Sequence, residues 1–177
     1  MEYTLKNGKT VMLHPAMPDD AAALIHIMKT ADSETRFLAR EPGEFSFTEE
    51  SEREFIARQA ADEGHAMFVA EYDGQPVGLC SVGLVRRNLR YLHRAETSFV
   101  LLKGWWGLGI GGRMMEEVLR WCKDHGCTQL ELEAVTENRR ALGMYLGFGF
   151  EIVGRVPRAL KYADGTYADE YRMVKYL

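Results

Sequence analysis

A chain of 177 residues, 46% apolar and 27% charged, has the size and composition of one globular domain with a sizeable core. Its net charge of −4 gives no basis for general nucleic-acid binding, which normally shows as a basic excess. Cys80, Cys122 and Cys127 leave one thiol unpaired in any disulfide scheme and form no CxxC, so they read as reduced thiols of a cytoplasmic protein.

The opening MEYTLKNGKTVMLHPA lacks the apolar core of a signal peptide. No apolar run approaches the roughly 20 residues that cross a bilayer, so neither membrane nor nucleic acid is an expected partner. Residues 1–177 are expected to form a single soluble domain. A first strand is predicted over Thr10 to His14, closed by Pro15. Pro18-Asp19-Asp20 then signals a helix start, and Leu24, Ile25, Ile27 and Met28 give that helix an apolar stripe. Thr48-Glu49-Glu50-Ser51 opens a second helix, predicted to reach about Glu63. The irregular stretch Phe37 to Phe47 between the helices is suited to a substrate-binding wall.

Ala66 to Tyr72 and Pro76 to Val85 flank Asp73-Gly74, a hairpin signal. Tyr91 to Leu102 reads as another long strand. After a glycine-rich turn, Ile110, Met114, Val118 and Trp121 recur at helical spacing, and His125-Gly126 ends that helix. Thr128 to Val135 alternates Leu130, Leu132 and Ala134 with Glu131 and Glu133, a strand with two faces. A short helix over Asn138 to Leu146, a strand over Phe148 to Val156 and a last hairpin turning at Asp164-Gly165 complete the order βααβββαβαββ. The fold class is α/β (α+β), a mixed sheet with helices packed on it.

The turn is the most informative feature. Gly107, Gly109, Gly111 and Gly112 stand at a strand-to-helix junction. Amides at a helix start lack intrahelical partners and lie at the positive end of the dipole, and glycine removes the Cβ that would keep a ligand away. A diphosphate is the natural guest. The run from Gly107 to Gly112 also satisfies GxGxxG, the dinucleotide fingerprint. That fingerprint belongs to the first βαβ unit of an open parallel sheet, whereas this turn follows a hairpin-rich half. Glu131 and Glu133 fall near the expected ribose position, so the dinucleotide reading stays open. Close packing of helix on sheet explains one or two of these glycines, not all four. No Gly-Lys-Ser/Thr follows, which excludes a P-loop.

The run SFVLLKGWWGLGIGGRMMEEVLRWC, followed by LELEAVTENRRALGMYLGFGFEIVGR, resembles the GCN5-related N-acetyltransferases. That family's signature Q/R-x-x-G-x-G/A enters a helix after a strand. A strand, an Asn and a short helix bearing Tyr before a GF pair follow. Asn138, Ala141, Tyr145, Gly149 and Phe150 stand in that order here. One departure is Trp106, where the signature has Gln or Arg. The resemblance implies acetyl-CoA in a gap between the strand before the turn and the strand Thr128 to Val135. Main-chain groups of Phe99, Val100 and Leu101 would pair with the pantetheine arm, and a donor near Val100 or Leu101 would polarise the thioester carbonyl. Amides of Gly107, Leu108, Gly109, Ile110, Gly111 and Gly112 would take the diphosphate, with Arg113 as a replacement cation. Arg139-Arg140 would meet the 3′-phosphate, or is a solvated pair.

The resemblance further implies transfer of acetyl to a primary amine, a small amine or a protein N-terminus, by direct attack in a ternary complex. Tyr145 would be general acid, and Asn138 would hold the cofactor's arm or nearby backbone. An alkyl amine is mostly protonated at neutral pH, so a base is expected. Glu133 is the first candidate, then Glu96, then His93. A core tyrosine and solvated carboxylates are the structural alternatives, and a non-catalytic acyl-CoA-binding module is the alternative function. Cys122, His125 and Cys127 lack an evident fourth ligand, so no metal is required. The terminal hairpin is of a kind that supports homodimers in such folds.

Overall fold

The computed structural model describes residues 1–5 and 7–177. Its strands are β1 (Glu2–Thr4), β2 (Thr10–Pro15), β3 (His65–Tyr72), β4 (Gln75–Leu84), β5 (Arg94–Leu101), β6 (Gln129–Val135), β7 (Glu151–Lys161) and β8 (Tyr167–Tyr176). Its α-helices are α1 (Ala21–Glu34), α2 (Glu49–Ala60), α3 (Ile110–Asp124) and α4 (Arg139–Gly147). The strands form one sheet in the order β1-β2-β3-β4-β5-β6-β8-β7. Every neighbouring pair is antiparallel except β5 with β6. This is the expected α/β (α+β) arrangement of a mixed sheet. It is not an open parallel sheet, and the dinucleotide reading is set aside.

Helices cover both faces. On one face α3 buries Ile110, Met114, Met115 and Val118 completely against Val11, Leu13, Leu130 and Met173. On the other, Leu24 and Ile27 of α1 and Ile56 of α2 pack on Val69, Leu79 and Val100. Alternation along β5 supplies both cores, Ala95 to the first and Val100 to the second, while β6 gives Leu130, Leu132 and Ala134 to the first. Such packing orders helices far more firmly than propensity does.

The decisive feature is a parting in the sheet. β5 stays in register with β4 from Leu84↔Ala95 to Gly78↔Leu101. It pairs with β6 only at Arg94↔Gln129, Ala95↔Leu130 and Glu96↔Glu131. Beyond that point β6 continues beside β8, so the far end of β5 has no neighbour on that side. Arg94 and Glu131 form a bidentate ion pair at the root of the parting, with Nη2 to Oε2 at 2.7 Å.

Some predicted boundaries move. The strand predicted from Tyr91 begins at Arg94, because the β4 ladder ends at Leu84↔Ala95 and a short 3-10 turn, Leu89–Tyr91, precedes it. Helix α2 stops at Ala60 rather than Glu63. β1 is an added strand, too short to carry a periodic signal. β7 runs through Pro157 with a register shift between Val156 and Leu160 and a left-handed Arg158 (φ 55°). An outermost strand accepts proline because the missing amide faces no partner.

Candidate active site

The parting exposes backbone that an unbroken sheet would consume. Leu102 N–H donates to Val77 O on the β4 side (3.0 Å), as does Val85 N–H to Arg94 O (3.1 Å). Main-chain groups alternate in direction along a strand. Those of Val100 therefore turn toward β4, while those of Thr97, Phe99 and Leu101 face the gap. This corrects Val100 as a main-chain partner: Phe99 and Leu101 are the residues open to an added strand. The Leu101 carbonyl already accepts the indole Nε1–H of Trp106 at 2.7 Å.

Helix α3 begins at the mouth of the gap with Gly109 as N-cap (φ 93°) and no capping side chain. Gly107 is also left-handed (φ 81°), a conformation that disfavours any side chain. Gly112 N–H and Arg113 N–H both return to Gly109 O, at 3.1 and 3.3 Å. Gly112 is thus corrected as a donor, and the amides ahead of it are the ones left without helical partners. The side chains of Leu108 and Ile110 are turned to the interior, Leu108 packing against the core and Ile110 lying within it. Arg113 is corrected as well: its Nη1 donates to both Glu116 carboxylate oxygens at 2.9 Å, and its guanidinium lies over the Tyr3 ring. Arg140 instead approaches the turn, with its guanidinium 5.5 Å from the Trp106 ring centroid.

A cavity of about 390 Å³ gathers Phe99, Val100, Leu101, Trp106, Gly107, Gly109, Gly111, Gly112, Asn138, Arg140 and Tyr145. Its size suits a cofactor arm. A second cavity of about 1030 Å³ lies on the other side of Tyr145 and includes Glu96, Glu131, Glu133, Glu170, Arg94 and Arg172. Phe37, Leu38, Phe99, Asn138 and Tyr145 line both. The wall containing Phe37 and Leu38 is fixed at Arg40, which grips the buried Asp32 through two 3.0 Å bonds. It is also tied to the β7–β8 hairpin, where Tyr162 Oη donates to Arg36 O at 2.8 Å.

Tyr145 is buried between Phe99 and Phe150. Burial pushes its phenol up to about 12, so it stays protonated at neutral pH. Asn138 uses its side-chain oxygen to cap α4, accepting from Ala141 N–H at 3.2 Å, which leaves its NH₂ end for a ligand. Glu133 is exposed and paired with Arg172 at 3.1 Å, and Glu96 is exposed on the neighbouring strand β5, opposite Glu131. His93 does not line either cavity. Arg94 holds the Glu131 carboxyl below its ordinary range. Burial, and then neighbouring Glu133, raises that of Glu170.

Sequence reasoning missed Glu170, Arg172 and His65. The first two sit opposite Val135 and Glu133, a register visible only once β6 and β8 are paired. His65 borders the larger cavity, with its Nδ1 buried and unbonded among the described residues and its charged form disfavoured by burial. Cys80, Cys122 and Cys127 are all buried thiols outside both cavities. Among the described residues, no three metal-ligating side chains gather, and no helix is long and apolar enough to cross a membrane.

The model of the Acetyltransferase (GNAT) family matches residues 31–150. Aminoglycoside N(6′)-acetyltransferase type 1 of Stenotrophomonas maltophilia is 32% identical over 111 residues, covering 58% of this chain and 71% of that protein. The L-amino acid N-acetyltransferase AaaT of Escherichia coli (strain K12) is 30% identical over 121 residues, covering 67% of this chain and 72% of the relative. The crystal structure of a GNAT-family acetyltransferase from Streptococcus pneumoniae superposes with a TM-score of 0.88 at 26% identity, covering 94% of this chain and 99% of that one.

Proposed function

The chain belongs to the GNAT acetyltransferase family, and on that premise we propose that it transfers acetyl from acetyl-CoA to the primary amine of a small cationic acceptor. The observation that carries this reading is Tyr145, buried at the junction of two cavities that meet beside the unpaired end of β5. The smaller cavity offers what the cofactor requires: main chain open for the pantetheine arm at Phe99 and Leu101, and a glycine turn with free amides for the diphosphate. Acetyl-CoA supplies an activated thioester carbonyl. Leu101 N–H, facing the gap, polarises that carbonyl.

The larger cavity receives the acceptor. Its lining presents five carboxylates (Asp62, Glu96, Glu131, Glu133 and Glu170) against three guanidinium groups, Arg87, Arg94 and Arg172. That imbalance attracts a cation. Glu133 takes the proton from the attacking amine, directly or through water, with Glu96 as the alternative base. The amine nitrogen bonds to the carbonyl carbon as the carbon–sulfur bond breaks, and Tyr145 gives its proton to the departing sulfur. The pKa values of phenol and thiol differ by only about 1.5 units in water. A thiolate formed beside the buried phenol is poorly solvated too, which raises its affinity for the phenol proton. No cysteine lines either cavity, which supports direct transfer over a covalent acetyl-enzyme.

The relatives that act on an aminoglycoside and on L-amino acids agree with a small acceptor. The test is a CoA-release screen with acetyl-CoA against aminoglycosides, L-amino acids, polyamines and peptides with free N-termini. Turnover is expected with one of the small amines. Turnover only with peptides would overturn the acceptor class, and none with any amine would overturn the enzyme reading.

A further inference from the structure

The family signature has Gln or Arg where this chain has Trp106, and the expected substitute, Arg113, is spent on Glu116. A cationic side chain nevertheless reaches the turn from another element. Arg140, in the first turn of α4, lies so close to Gly107 that a Cβ there would stand 3.2 Å from its Nη1. Its guanidinium lies over the Trp106 ring, and both residues line the smaller cavity with the glycines. The indole is itself fixed by its bond to Leu101 O. Arg140 makes no ion pair among the described residues.

We propose that Arg140 is the diphosphate-binding cation of this protein and that Trp106 is a positioning residue, a platform that holds the guanidinium over the glycine turn. This rests on the acetyl-CoA reading above. It moves Arg140 from the 3′-phosphate, where the sequence pairs it with Arg139, to the diphosphate. Three observations lead there. The guanidinium lies in the space a Gly107 side chain would enter, at the start of the turn whose amides are open. A planar guanidinium stacks on an indole and still points its N–H groups at phosphate oxygens, which a lone ammonium cannot do as well. Leu101 O, Trp106 and Arg140 form a continuous chain from the backbone facing the pantetheine arm to the turn, so one residue registers both parts of the ligand.

The experiment is calorimetric titration of the full chain with CoA, 3′-dephospho-CoA and pantetheine. Arg140→Ala is expected to weaken CoA and dephospho-CoA alike, by about tenfold or more for a charge-assisted contact, and to leave pantetheine unchanged. Trp106→Ala should lose a similar factor, and the double variant should lose little more than either single one. Trp106→Phe, which keeps an aromatic face, should recover most of the affinity. Loss confined to CoA would overturn the proposal in favour of the 3′-phosphate. Equal loss for pantetheine, additive losses in the double variant, or no loss at all would overturn it too. If the parent protein bound none of the three ligands, the acetyl-CoA reading itself would fall, a result distinct from all of these.

Discussion

Tyr145 and Phe99 face one another across the parting of the sheet, with ring centroids 6.0 Å apart and interplanar tilt 46°. One comes from α4 and the other from the unpaired end of β5, and together they separate the two cavities. Any thioester carbonyl presented to an amine in the larger cavity has to pass this pair.

Tyr145→Phe keeps the ring and its packing while removing the proton. Its kcat is expected to fall about 10²- to 10⁴-fold with KM for acetyl-CoA nearly unchanged. With the phenol held up at about 12, the parent enzyme should show no alkaline loss of kcat from this group below about pH 11. Unchanged turnover in the variant would remove Tyr145 from the mechanism. An alkaline limb near pH 9 that vanished in the variant would show the phenol ionising too easily for this role.

The two candidate bases separate by substitution. Glu133→Gln should lower kcat about 10²-fold or more, whereas Glu96→Gln should cost less. Arg172→Ala frees Glu133 from its ion pair and leaves the carboxylate in place, so catalysis should persist, with a far smaller loss of kcat than in Glu133→Gln. If Glu96→Gln carried the larger loss, the roles would be reversed.

Much of this arrangement is legible before any coordinates, and the reason is physical. The glycine turn, the capping Asn138 and the stripe Ile110-Met114-Val118 are local signals, set by residues within one or two helical turns of one another. What escapes is set by pairing across the sheet. That Val100 turns its amide to β4, that Gly112 is already bonded to Gly109 and that Glu170 joins Glu133 depend on register or local hydrogen bonding not encoded in spacing alone. Arg113 and Arg140 look equally suited as cations in the sequence. Only the position of Glu116 one turn along distinguishes them, and its pull on Arg113 could have been read from their i,i+3 spacing.

Gly109→Ala tests the turn without touching any cavity-lining side chain. Nothing crowds a Cβ there, so its cost comes from the left-handed backbone (φ 93°), about 1–2 kcal/mol for an L-residue. A melting temperature lower by roughly 2–4 °C per kcal/mol, together with weaker CoA binding, is expected in thermal-shift assays. Full stability with normal affinity would contradict this reading of the turn.

Glu52 is buried on α2, with Oε2 unbonded among the described residues, and burial raises its carboxyl above the ordinary range. An acid raised on folding costs stability once the pH climbs above its unfolded value, and costs nothing where both states are protonated. Glu52→Gln should therefore raise the melting temperature at pH 7 by a few degrees and leave it nearly unchanged at pH 4. Equal stabilisation at both pH values would point to packing instead of charge.

The three-rung ladder between β5 and β6 has a mechanical meaning as well. Among the described residues it is the sole strand-to-strand seam joining the amino-terminal five strands to the carboxy-terminal three, reinforced at its foot by Arg94 and Glu131. A guest whose amides bridged Phe99 and Leu101 would supply rungs the chain leaves out, fastening two half-sheets that otherwise lean on a shared helix. In such a protein, loading the co-substrate completes the architecture with a borrowed backbone, and amide exchange along β5 should slow on loading.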